Sequence, residues 1–321
     1  MPPRRRFLQA AAFAAGSLPH VGRAEVYPSR PVRVVVPYPP GGSTDTTARI
    51  VGERLAARLG QPFLVDNRPG AGGNLGMELA ARAKPDGYTL AVATTAHAIN
   101  ATLFPRLAYD TLKDFAPVVL LTENPLILVV NPASSAVTVP ELIASAKRKP
   151  GDLRYASSGN GQSTHLAAEL FCAMAGVKMI HVPYRGSAPA LQDVMSGQVE
   201  LMFDTSQSVL PHVGKTVRAL GVTSKARLPA LPDTSAIAET LPGYEAIAWN
   251  GLVAPAGTPA GIVDGLNAAL LDVLAEPGVV RRFEALGATY RPTTPAQFGA
   301  YVADEIVKWG KVVHASGAKV D

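Results

Sequence analysis

The chain has one cysteine, Cys172, in 321 residues. That excludes an internal disulfide, an iron–sulfur cluster and any cysteine-rich zinc site. It has no run of about 18 apolar residues, so no transmembrane helix is expected. Beyond the N-terminal segment the histidines are His97, His165, His181, His212 and His314. None of them pair at metal-ligand spacing, and no H-E-x-x-H string occurs. The G-x-S-x-G nucleophile elbow is also missing. Neither a metal nor a cofactor is expected. What is present is a hydrophobic content of 47%, too high for a disordered chain. The length fits two domains, each with its own core.

The net charge of +5 comes from 30 basic and 25 acidic residues. Four of the basic ones, Arg4, Arg5, Arg6 and Arg23, stand in the first 24 residues, which hold no acid. Setting those four aside leaves 26 basic residues against 25 acidic. A nearly neutral body without a basic run has no electrostatic footprint for nucleic acid. Residues 1–24 read as an export signal: a basic start, a short apolar stretch at 7–15, and Gly22-Arg23-Ala24 as a small-residue cleavage site. The string RRRFLQ at 4–9 resembles a twin-arginine signal. An ordinary secretory signal with extra arginines is the alternative. Both place the mature chain outside the cytoplasm, starting near Glu25.

Strand-like and helix-like segments alternate from there. Short apolar runs at 32–37, 63–65, 88–94, 118–121 and 127–130 read as strands, the last two split by Asn124-Pro125. Helical spacing appears at 44–59, where Ala48, Val51, Leu55 and Leu59 share a face, and helical composition at 77–83. The middle of the chain repeats the alternation. Strands are expected at 153–156, 178–182, 200–204 and 218–223, and helices at 139–149, 164–175 and 188–195. A strand at 245–254 and amphipathic helices at 262–274 and 298–313 complete the chain. Such alternation predicts α/β layers around mostly parallel sheets.

Ligands of open parallel sheets bind where strands feed helix N-termini. The first such loop is PYPPGGSTD at 37–45. Its glycines free the backbone, and Ser43 or Thr44 is a natural cap. Exposed N–H groups plus the helix dipole make an anion site. Asp45 falls in the first helical turn, favoured there by the dipole or used as an acceptor for a ligand ammonium or hydroxyl. SSGNGQSTH at 157–165 repeats this logic, with Ser163 or Thr164 as cap. Two such loops facing one cleft can hold one anion from both sides. A third glycine-rich loop, RPGAGGN at 68–74, fails the dinucleotide fingerprint because Leu75 stands at the third glycine position. Thr94 and Thr95 follow a strand, as do Arg185, Gly186 and Ser187, and Asp204 ends another; all three groups are candidates for the same cleft. Arg185 can hold a carboxylate bidentately or be an exposed loop arginine.

These strings together resemble the Bug-type periplasmic solute-binding receptors of tripartite tricarboxylate transporters. The resemblance covers the mature chain. It rests on YPSRPVRVVVPYPPGGSTD at 27–45, VDNRPGAGGNLG at 65–76, KPDGYTL at 84–90, YASSGNGQSTHLAAELF at 155–171, HVPYRGSAPALQD at 181–193, GQVELMFD at 197–204 and ASGAKVD at 315–321. It implies an α/β, two-lobed type II periplasmic-binding-protein fold with two hinge-crossing strands near 125–131 and 246–252. Residues 25–125 and 249–321 would form lobe 1, and 126–248 lobe 2. It further implies a small carboxylate held by Tyr38, Gly42, Ser43, Thr44, Asp45, Ser158, Gln162, Ser163 and Thr164. The partners would be transporter membrane subunits, with no membrane insertion and a monomeric receptor.

Two other functions stay open on the sequence. A periplasmic hydrolase would use Ser43, Ser158 or Ser163 and needs a base, for which His165 is the histidine in a serine-bearing loop. A sensor would use the same fold for a signalling partner. The ligand also stays open: Asp45 and Asp204 permit an amino acid, Arg185 a second carboxylate, and Pro39, Pro40 and Ala188 an aromatic acid.

Overall fold

The computed structural model describes residues 27–320, so the export-signal segment lies outside the described residues. β1 (Val32–Val36) is four valines and one arginine, the β-branched composition of a strand covered on both faces. It is followed by α1 (Ser43–Leu59), β2 (Phe63–Asn67), α2 (Asn74–Ala81), β3 (Thr89–Thr94) and α3 (Thr95–Leu103). β1 pairs in parallel with both β2 and β3.

β4 (Phe115–Val130) then leads into the middle of the chain. There α4 (Val139–Arg148), β5 (Arg154–Ser157), α5 (Ser163–Ala175), β6 (Ile180–Pro183), α6 (Ser187–Met195), β7 (Leu201–Thr205), the short α7 (Ser206–Val209) and β8 (Arg218–Val222) follow. β5 pairs in parallel with β6 and β7. β9 (Ile247–Pro255) and the helices α8 (Ala260–Ala275), α9 (Pro277–Ala285) and α10 (Pro295–Ser316) complete the order. The sheet runs β2-β1-β3-β9-β4-β7-β5-β6, with β8 also paired to β4.

Two sequence expectations need correction here. Residues 118–121 and 127–130 belong to one strand that passes through Asn124-Pro125. Up to Pro125, β4 pairs antiparallel with β9, from Phe115 opposite Pro255 to Pro125 opposite Ile247. From Leu126 its partner is β7, joined from Ile127 by β8. Proline has no N–H for a ladder, and Pro125 stands at the change of partner, where a missing donor matters least. The sheet is also mixed rather than mostly parallel, because β4 and β9 run antiparallel to their neighbours. α9 had no counterpart in the sequence reading.

Apolar packing follows this layout. One cluster packs α1, α8 and α9 on β1, β3, β4 and β9 through Ile50, Leu55, Leu270 and Phe283. Another runs from Ile99 and Leu103 through Trp249 and Phe298 to Phe171 and Phe203, so it passes from one half of the sheet to the other.

Candidate functional site

The loop after β1 delivers Gly42 to the N-cap position of α1 in extended conformation, with φ −77° and ψ 173° and no side-chain cap. Ser43 is already inside the helix, so the expectation that Ser43 or Thr44 caps it is corrected; a cap residue must itself be non-helical. The first N–H groups of α1 therefore have no side-chain partner. Asp45 braces the loop. Its Oδ2 accepts from the Gly41 N–H and from Arg49 Nε, each at 2.9 Å. Its Oδ1 accepts from the Arg49 guanidinium at 2.9 Å and from Asn67 Nδ2 at 3.0 Å. Burial pushes this carboxyl up, but the bonds from Arg49, Gly41 and Asn67 outweigh it and hold it below the usual carboxylate range. A carboxylate with four donors has no acceptor capacity left for a ligand ammonium.

Asn67 Nδ2 also donates to the Tyr38 carbonyl at 3.0 Å. The Tyr38 hydroxyl, pushed up to about 12 by burial, lies 2.9 Å from Thr94 Oγ1. Thr94 occupies the N-cap position of α3, again without a side-chain cap. Thr95 Oγ1 accepts from the Trp249 backbone N–H at 2.9 Å, tying the start of α3 to β9.

The loop after β5 is built alike. Gln162 sits at the N-cap position of α5 without capping it, and Ser163 is the first helical residue. Thr164 does not cap either, correcting that expectation. Its Oγ1 accepts from the Ser158 N–H at 3.0 Å and lies 2.8 Å from the Ser158 hydroxyl. His165 is buried, and its Nδ1 accepts from the Gly161 N–H at 3.2 Å. Its ring stacks on His181, with centroids 3.8 Å apart and 6° between planes. His181 Nε2 is 2.6 Å from Ser157 Oγ. Burial, with His181 adding to it, lowers His165 to about 3, and burial lowers His181 to about 4.

The loop after β5 reaches the first half of the chain at the 68–74 loop. Gln162 Nε2 donates to the Gly72 carbonyl at 3.4 Å, the same oxygen that takes Asn100 Nδ2 at 3.2 Å. Gly161, at φ +74°, approaches so closely that a Cβ there would lie 2.3 Å from Leu103 Cδ2. The 68–74 loop thus lies against the loop after β5, a contact the sequence reading missed. Its density of glycines was the signal, and Ala71 at φ +48° marks how tightly it turns.

A further wall comes from α6 and β7. Gly186, at φ +118°, holds the N-cap position of α6 without a side-chain cap, and its N–H donates to the Ser158 carbonyl at 3.1 Å. Ser187 Oγ donates to Asp204 Oδ1 at 3.0 Å, and the Thr205 N–H to the same oxygen at 2.8 Å. Arg185 is exposed and has no ion-pair partner among the described residues. Five helices of eight or more residues, α1, α2, α3, α5 and α6, thus start without a side-chain cap in the connections that follow β1, β2, β3, β5 and β6. Such starts attract anions. Among the described residues, Ser43, Ser158 and Ser163 have no histidine partner; Ser157, which has one, is fully buried.

Uncapped helix starts on two sheet halves joined by long crossing strands are the marks of a solute-binding protein. The profile of the tripartite tricarboxylate transporter family receptor matches residues 47–318, and the chain belongs to that family. Solved structures agree. An R. palustris protein, Rpa4515, determined with adipate, superposes with a TM-score of 0.87 at 36% identity, over 92% of this chain and 100% of that one. The periplasmic binding protein BugD gives 0.84 at 32%, over 91% and 99%. MatC of Rhodopseudomonas palustris, with bound malate, gives 0.83 at 38%, over 89% and 100%. The chain is a solute-binding receptor of the Bug type with a periplasmic-binding-protein fold. The family consists of receptors rather than enzymes, which sets the hydrolase reading aside.

Proposed function

We propose that the chain captures a small carboxylate between the loops 37–45 and 157–165 and presents it to the membrane subunits of a transporter. The observation that carries this reading is that Gln162, at the uncapped start of α5, shares a side-chain hydrogen bond with Tyr38 of the loop before the uncapped α1 and donates to the Gly72 carbonyl beside it. Burying a carboxylate without partners costs several kcal/mol. Charge-assisted bonds from N–H groups at two helix starts offset that cost without a cationic side chain. Ser43, Ser158 and Ser163 add hydroxyls at the same mouth, while Asp45 holds the first loop in shape. The adipate and malate in two similar structures support the ligand class.

Residues 25–125 and 249–321 act as lobe 1 and 126–248 as lobe 2, with β4 and β9 as the hinge. A ligand touching both loops favours the closed state, because that state makes both sets of contacts. The receptor works as a monomer in the periplasm, reached through the segment 1–24. No helix among the described residues is long and apolar enough to cross a membrane.

A thermal-shift panel on residues 25–321 tests the reading. A ligand at 100-fold its dissociation constant adds about 2.7 kcal/mol, and a selective rise with one class of acid is expected. No rise from any acid, after mass spectrometry of the denatured protein has excluded a retained ligand, overturns it.

A further inference from the structure

We propose that Asp204 is the specificity-determining residue for the far end of the ligand: as a neutral carboxylic acid it donates from Oδ2 to a ligand oxygen, so the receptor prefers dicarboxylates and takes up one proton on binding them. This deepens the receptor reading above and rests on it.

Asp204 is the penultimate residue of β7, beside the first residue of α6 and two residues before Ser206, whose Oγ donates to the Gly287 carbonyl on the opposite half at 2.6 Å. β7 runs parallel to β5, so its C-terminal end emerges on the same edge of the sheet as the 157–165 loop. Asp204 is 1% exposed, and its two oxygens differ. Oδ1 has the donors Ser187 Oγ and Thr205 N–H, whereas Oδ2 is buried without a hydrogen bond of normal geometry; the neighbouring Ser208 hydroxyl, 3.0 Å from Thr205 Oγ1, gives the carboxyl only weak support. An unpaired buried oxygen is costly, more so when ionised. Two things can satisfy it, a donor brought by the ligand or a proton of its own.

The surroundings favour the proton. Among the described residues, the charged and titratable groups on the elements packed against β7 are engaged elsewhere. On β5, Arg154 pairs with Glu200, and the Tyr155 hydroxyl donates to Glu169 of α5. On α5, His165 takes the Gly161 N–H, and Cys172 is a buried thiol raised to about 12. On α6, Asp193 takes the Tyr184 hydroxyl. The stretch of β4 opposite β7 and the whole of α7 carry no charged residue. Arg185, just before α6, is exposed. No cation therefore holds Asp204 ionised. Burial raises it to about 7 against the bonds from Thr205, Ser187 and Ser208. An anion arriving in the cleft raises it further, since like charges disfavour ionisation. The proton comes from solvent: the carboxylate of Asp204 gains one proton on Oδ2, and the O–H then donates to the bound dianion. Asp45, with its four donors, has no room for this part.

The test is calorimetry of succinate, malate, adipate and glutamate binding to the mature protein from pH 6 to 9, in buffers of different ionisation enthalpy. The result expected is uptake of close to one proton per dicarboxylate above neutral pH, with affinity falling towards tenfold per pH unit. Asp204→Asn keeps the shape, keeps an acceptor for Ser187 and Thr205, and places a permanent donor at the Oδ2 position. It is expected to bind the same dicarboxylate within a few-fold, with a flat pH profile. Dicarboxylate binding by the natural protein without proton uptake overturns the inference while leaving the receptor reading intact. So does glutamate preferred over succinate with that preference lost in a folded Asp204→Asn, since that marks an acceptor for an ammonium. Absence of binding by every acid at every pH overturns the receptor reading itself.

Discussion

The loop before α1 is held by charge. Asp45 gathers Arg49, Asn67 and the Gly41 N–H around one carboxylate. The loop before α5 is held without an ion: Thr164 with Ser158, His165 with the Gly161 N–H, and His181 with Ser157. Both leave the first N–H groups of their helix uncapped. The same uncapped helix start thus has two kinds of support, and acid removes the two in different pH ranges. A depressed carboxyl keeps its charge down to strongly acidic pH. A neutral imidazole pair survives only where the histidines stay unprotonated.

That contrast is open to attack from both sides. Acidification gives the largest effect. His165 and His181 are lowered to about 3 and about 4, so below the ordinary histidine value the unfolded chain binds more protons than the folded one. Their contribution is complete above about pH 6.5 and is lost as the pH falls towards 4. Between pH 7 and 5 urea denaturation is expected to show a loss of about 2 kcal/mol for each histidine, and His181→Gln to remove part of that slope. Asp45 responds in the same direction but in a lower window. Its stabilisation is present above about pH 3.9 and is lost only as the pH falls through its lower folded value.

Next in size is Gly161→Ala. The positive φ and the approach to Leu103 cost about 2 kcal/mol together, a loss of roughly 30-fold in ligand affinity by calorimetry. Leu103→Ala added to it recovers part of the affinity if the clash is the cause. Asp45→Asn removes the charge from four hydrogen bonds and lowers stability by about 1.5 kcal/mol at pH 7. The loss shrinks in high salt, because Arg49 is half exposed. The smallest effect is expected from Thr164→Val, about 1 kcal/mol from one neutral hydrogen-bond pair, with no change in salt dependence.

The glycine-rich loops and the strands that feed them were legible because strand, turn and helix chemistry all changed within a few residues. What the residues alone did not reveal was who caps whom. Ser43 and Ser163 are good caps by type, yet each lies one position inside its helix, and Thr164 turns back to Ser158 instead. That choice depends on backbone angles at Gly42 and Gln162, which composition does not encode. β4 was read as two strands because Pro125 usually ends one; here the tertiary change of partner accommodates it. The role of the 68–74 loop was hidden for a different reason. Its contact with Gln162 spans 90 residues of sequence, and no local pattern carries it.

Both tryptophans of the chain, Trp249 on β9 and Trp309 on α10, donate their indole N–H to the same Glu305 Oε2, at 2.9 and 2.7 Å. Neither belongs to the ligand loops, but Trp249 lies on a crossing strand and its backbone is tied to Thr95. The molecule therefore carries a built-in optical gauge. If β9 bends as the proposed hinge, emission from two indoles anchored on one carboxylate is expected to change with it, a signal that a stopped-flow mixer can follow with no dye attached.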